Sequence, residues 1–148
     1  MKVKAIRLVS RVCAVAVLAV AFACGSNSSS PTSPSTPGPG GTSLAAPALT
    51  SPIGGVTIAG LKPTLTVSNA ASGGNVGAVT YQFEVSEMDS FPANSRTSAA
   101  SDVAQGSGTT SWAPPSNLIS NFVYYWHARA TNGTITTEWS KTETFKTP

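Results

Sequence analysis

Three stretches of this chain alternate apolar and polar residues with a period of two, and that pattern limits the fold more than any other feature. "PTLTVSN" (Pro63 to Asn69) sets Leu65 and Val67 against Thr64, Thr66 and Ser68. "VTYQFEVSE" (Val79 to Glu87) sets Val79, Tyr81, Phe83 and Val85 against Thr80, Gln82, Glu84 and Ser86. In "FVYYWHARATNG", Phe122, Tyr124, Trp126, Ala128 and Ala130 alternate with Val123, Tyr125, His127, Arg129 and Thr131. Successive side chains of a strand point to opposite faces, so each stretch predicts a strand with one dry and one wet side. No segment from Leu44 to Pro148 carries a helical period. The stretches "NAASGGNVGA", "PANSRTSAASD", "GSG", "APPSN" and "TNGT" are turn and loop chemistry. Several short strands at this spacing predict an all-β sandwich or barrel, spanning 44–148 as one domain. Pro47, Pro52 and Pro63 cannot donate to a ladder and predict an irregular, edge-like first strand.

The start of the chain is built differently. Four of its nine lysines and arginines (Lys2, Lys4, Arg7, Arg11) precede the apolar run "VCAVAVLAVAFA" from Val12 to Ala23. A positive start, a dozen apolar residues and then small residues read as a secretory signal over 1–23. The run is shorter than the roughly 20 residues a membrane-spanning helix needs. Without this segment five bases face all six acids, a net charge of −1, so the basic pI of the whole chain implies no nucleic-acid partner. Residues 24–43 contain, after Cys24, only Gly, Ser, Thr, Pro and one Asn. Such a segment has no apolar surface to offset the entropy of ordering and reads as a disordered tether.

Both cysteines, Cys13 and Cys24, lie in or at the end of the apolar run, so the domain has no disulfide. The stretch "AFACGS" resembles the lipobox of bacterial lipoproteins. That resemblance implies a Cys24 that is thioether-linked to diacylglycerol and becomes the first residue after cleavage. It departs from the family at Ala21, where leucine is usual, and at the bulky Phe22. The alternative is an ordinary signal-peptidase site at Ala21-Phe22-Ala23 that Cys24 merely follows.

"LISNFVYYWHARATNG" with "EWSKTETFKT" resembles the end of a fibronectin type III domain, an immunoglobulin-like β-sandwich. The family places a tyrosine six residues after a leucine, then alternating core residues, then a small residue and a turn. Leu118, Tyr124, Trp126, Ala128 and Ala130 hold those places. The resemblance implies a corner in which the Tyr124 hydroxyl bonds back to the preceding backbone. The family's tryptophan on the second strand is missing, and Trp126 or Trp112 is expected to fill its volume. The lone "EWS" is similar to the Trp-Ser motif of cytokine-receptor relatives, which implies an Arg129 stacked on Trp139, a structural role. Since Phe145 shares parity with Trp139 and belongs in the core, a bulge is needed between them.

Candidate chemistry is sparse. His127 is the only histidine, the residue type whose unperturbed pKa lies near neutrality, and its parity puts it on the outer face as a polar surface residue beside Tyr125 and Arg129. Asp89 and Asp102 fall in segments read as loops. No spacing suggests a catalytic residue, a metal ligand or a cofactor. The expectation is therefore a non-catalytic module, exported to the cell envelope and held on the membrane by its lipid anchor (the outer membrane in a Gram-negative cell), or secreted if not lipidated. It would act as a spacer or interaction unit with an envelope protein or polysaccharide as partner. Tyr125, Phe91 and Trp112 are the candidate aromatics for the alternative, a carbohydrate-binding module. A third expectation is that the chain is the opening part of a larger secreted protein.

Overall fold

The structure, a computed structural model, describes residues 41–148. The signal sequence, Cys24 and residues 24–40 of the tether lie outside the described residues. Among the described residues ten strands follow in order: β1 Ser43–Leu44, β2 Ala48–Ser51, β3 Val56–Thr57, β4 Leu65–Ser68, β5 Ser72–Gly73, β6 Thr80–Ser86, β7 Arg96–Ala104, β8 Thr109–Trp112, β9 Val123–Thr131 and β10 Glu143–Lys146. No helix occurs among the described residues.

The strands form a five-stranded sheet in the order β3-β10-β9-β6-β7, a three-stranded sheet in the order β2-β4-β8, and the short pair β1-β5. All pairings are antiparallel except β3 with β10. The core is what the alternation puts between the larger sheets. Leu65 and Val67 come from β4, Tyr81, Phe83 and Val85 from β6, Tyr124, Trp126, Ala128 and Ala130 from β9, and Phe145 from β10. Each of these is fully buried. Phe83 of the five-stranded sheet stacks on Trp112 of the other, with ring centroids 5.8 Å apart, so the sheets face each other as in a β-sandwich. Trp126 also lies against Phe83, and its indole N–H donates to the Pro52 carbonyl at 2.8 Å. A buried indole donor without a partner would cost about 1–3 kcal/mol, so this bond fixes the ring within the core.

The pairing registers sort the loops into two ends. Residues 69–79, 105–108 and 132–136 lie at one end, which β1 joins by pairing Ser43 with Gly73 and Leu44 with Ser72. Asn132 Nδ2 donates to the Val76 carbonyl at 2.8 Å, tying two of these loops together. Residues 87–95 and 113–122 lie at the opposite end with Pro148, whose carbonyl accepts the Asn121 N–H at 2.7 Å.

Three sequence expectations need correction. "PANSRTSAASD" is not all loop: Arg96–Ala104 form β7, which includes Asp102, whereas Asp89 does lie outside any strand. The strand carries no apolar alternation because it is the edge of its sheet; Ser98, Ala100 and Val103 are turned partly inward. Two register shifts against β6 and a left-handed Asp102 (φ 59°) bend this edge, which blunts it without lysine or proline. Second, Phe122 precedes the strand and is exposed, its ring tilted over Tyr124 at 5.3 Å instead of entering the core. Third, His127 is not a surface residue but is buried beneath the rings of Phe91 and Trp139.

The irregular edge strand expected around Pro47 and Pro52 is β2, which lies between them at the edge of its sheet with a register shift between Leu49 and Ser51.

Candidate site on the outer face of the five-stranded sheet

Antiparallel pairing of β6 and β9 places Gln82 opposite Arg129, Glu84 opposite His127 and Ser86 opposite Tyr125. Since Tyr81, Phe83, Trp126 and Ala128 turn inward, Gln82, Glu84, His127 and Arg129 share the outer face. The pairs bond across the strands. Arg129 Nε donates to Gln82 Oε1 at 2.8 Å, and His127 Nε2 lies 3.2 Å from Glu84 Oε2.

His127 is only 7% exposed because two rings cover it from outside the strand. Phe91, from the β6–β7 loop, stacks at 3.7 Å, and Trp139 stacks at 3.9 Å. Two near-parallel rings at such distances must take opposite faces of the imidazole. The Arg129 guanidinium lies over Trp139, 4.3 Å from its centroid. The result is a column of Phe91, His127, Trp139 and Arg129 on a sheet face. The parity that predicts an outward His127 holds; what it cannot show is that a loop and the Trp139 segment fold over that face.

Trp139 reaches the column through an irregular stretch. Ala130, Ala128 and Trp126 of β9, two residues apart, meet Thr137, Ser140 and Glu143, three residues apart. Each step thus carries one extra residue on the second chain, the required bulge. Side-chain hydroxyls restore the missing ladder: Thr137 Oγ1 accepts the Ala130 N–H and Ser140 Oγ the Ala128 N–H, both at 3.1 Å. The extra residues free Trp139 to turn outward while Phe145 turns in.

At the far end of β9, Tyr124 is buried and its hydroxyl accepts the Ile119 N–H at 3.0 Å. Leu118 is buried beside it. Burial raises the Tyr124 pKa above the usual tyrosine value; the Ile119 bond works against that shift and the charge of Glu87 adds to it. Tyr81 is raised in the same way by burial, offset by the Ala70 N–H and by Thr110.

The candidate aromatics do not form one platform. Trp112 faces Phe83 at the edge of the core, Phe91 is used in the column, and Tyr125 is half-buried on the outer face. What the outer face does offer is a groove of about 440 Å³ lined by Gln82, Glu84, Ala99, Ala100, Ser101 and Arg129. Small residues on β7 leave this depression beside the longer side chains of β6 and β9. Gln82 and Glu84 escape notice in the sequence because their partners are set by register, which alternation alone does not reveal. Among the described residues no three His, Cys, Asp or Glu side chains gather to hold a metal ion. Compared with models of known families, with curated proteins and with solved structures, the chain matches none.

Proposed function

We propose that the chain is an exported lipoprotein whose β-sandwich, of fibronectin type III-like build, serves as a non-catalytic interaction or spacer module on the cell envelope. Cys24 carries the anchor, residues 24–43 give reach, and the domain is held away from the membrane. The observation that carries the reading is the two-ended layout of the domain. Ser43, where the tether joins the domain, pairs with Gly73 at the end formed by residues 69–79 and 132–136. Met88, Ile119 and Phe122, exposed apolar side chains, belong to the opposite end, and that end is presented outward. The fibronectin-like assignment is supported by the buried Leu118 and by the bond between Tyr124 and the backbone five residues earlier.

Metabolic labelling with a fatty acid, in cells expressing the wild type and Cys24→Ala, tests the anchor. Label in the wild type alone is expected; equal label in both removes the lipoprotein assignment.

A further inference from the structure

We propose that the groove over β7 binds a carboxylate-bearing saccharide, with Arg129 as the carboxylate receptor. The inference extends the interaction-module reading to a partner class, but it does not depend on the lipid anchor.

The guanidinium of Arg129 is held from two directions. Its Nε is committed to Gln82 Oε1, and its plane rests over the Trp139 ring, which is itself braced by His127 and Phe91. No described residue bonds the two terminal Nη nitrogens, and none forms an ion pair with this arginine. A guanidinium fixed in this way offers a ready fork of N–H donors, and a planar carboxylate accepts such a fork through both oxygens. Little side-chain entropy remains to be lost on binding, because the stack has already ordered the arginine.

The rest of the groove suits hydroxyl groups. Gln82 Oε1 is used by Arg129, which leaves its Nε2 as a donor. Glu84, two residues along the same face of β6, is engaged by His127 through Oε2 at 3.2 Å and bounds the groove, while Ser101 supplies a hydroxyl. Ala99, which shares the outer face with Glu84, forms a floor without bulk, so a sugar ring can lie on it. The groove sets one fixed cation beside a side-chain amide donor and a hydroxyl, a set that a saccharide satisfies with a carboxylate and its ring hydroxyls. Uronic acids combine one carboxylate with vicinal hydroxyls and match this set of donors and acceptors.

The test titrates the full-length chain with tri-galacturonate, following tryptophan fluorescence and heat, since Trp139 lies directly beneath the arginine. Maltotriose and tri-aspartate serve as neutral-sugar and acidic-peptide probes. Saturable binding of tri-galacturonate, with Kd in the range of about 0.1–1 mM and weakened by salt, is expected. Arg129→Met should lower the affinity at least about tenfold, the loss of a charge-assisted pair. Because Arg129→Met also removes part of the stack, Ala99→Glu provides the independent variant. It adds a like charge to the exposed floor, opposite Glu84 and away from the arginine and its stacked rings, and should also lose binding about tenfold; a thermal unfolding curve of the same variant separates that loss from the cost of two carboxylates facing each other. Absence of saturable binding, equal binding of maltotriose or tri-aspartate, or unchanged affinity in Ala99→Glu each overturns the proposal. None of these outcomes bears on fatty-acid labelling at Cys24.

Discussion

His127 and Trp139 lie ring on ring, 3.9 Å apart and 14° from parallel, although one sits mid-strand and the other in a stretch without regular pairing. The contact exists because hydroxyls replace backbone groups along Thr137–Ser140, which lets the chain carry extra residues without orphaning the N–H groups of Ala128 and Ala130. The indole therefore brackets two neighbours on β9, the imidazole and the guanidinium. A double-mutant cycle of Trp139→Ala and Arg129→Met should give a coupling of about 0.5–1 kcal/mol in urea unfolding, the size of an exposed cation–π contact. Additive single effects would mean that the stack contributes only area.

The hydroxyl replacement has its own test. Thr137→Val keeps the shape of the side chain but leaves the Ala130 N–H without its side-chain acceptor in a buried strand. A loss of about 1–3 kcal/mol is expected, together with faster amide exchange at Ala130. Thr136→Val, whose hydroxyl bonds Thr131 in the open, should change stability by less than about 0.5 kcal/mol.

Tyr124→Phe removes one oxygen and orphans the Ile119 N–H at the turn before β9. The cost should be about 1–2 kcal/mol, or a fall in Tm of several degrees, on the order of 4–8 °C per kcal/mol for a domain near 100 residues. Tyr125→Phe on the next residue is the control. Its hydroxyl bonds no described residue, so thermal unfolding should be nearly unchanged.

How far the sequence foretold this arrangement differs from strand to strand. β4, β6 and β9 announce themselves because each has one face fully buried, and burial is what alternation records. β7 does not, because an edge strand of Ser and Ala with two bulges buries little on either side. The outward direction of His127 is legible from parity, whereas its burial is not: Phe91 arrives from a loop with φ 48°, and no local pattern reveals where a loop will lie. The clash of parity between Trp139 and Phe145 was the one sequence signal of a bulge, and its physical basis proved to be paired hydroxyls. Tyr125, Phe91 and Trp112 look alike as exposed aromatics in the sequence, yet their surroundings differ because register and loop path assign each a separate neighbour.

Gly106 marks the tightest point of the turn between β7 and β8. A Cβ there would collide with the Thr109 carbonyl oxygen, a backbone atom that cannot rotate away. The Gly106 N–H also donates to Thr110 Oγ1 at 3.1 Å, and that hydroxyl donates to Asn69 Oδ1. Gly106→Ala should therefore lower stability by about 1–3 kcal/mol, read by chemical denaturation. Gly108→Ala, at φ 77° with open space around it, should cost about 1 kcal/mol through backbone strain alone.

Alkaline pH should unfold the domain through Tyr81 and Tyr124. Burial raises both pKa values above 10.0, so the folded state keeps its phenol protons at pH values where the unfolded chain has begun to lose them. A group whose pKa is raised on folding contributes its full stabilisation below the unfolded value of about 10 and loses it as pH climbs through the folded value. Stability should thus be insensitive to these residues at neutrality and decline from about pH 10 upward. Urea titrations across that range, with absorbance at the phenolate band, will show whether ionisation of these two rings coincides with unfolding. In Tyr124→Phe the decline should be shallower, because one of the two linked protons is gone; an identical slope would assign the alkaline transition to other groups.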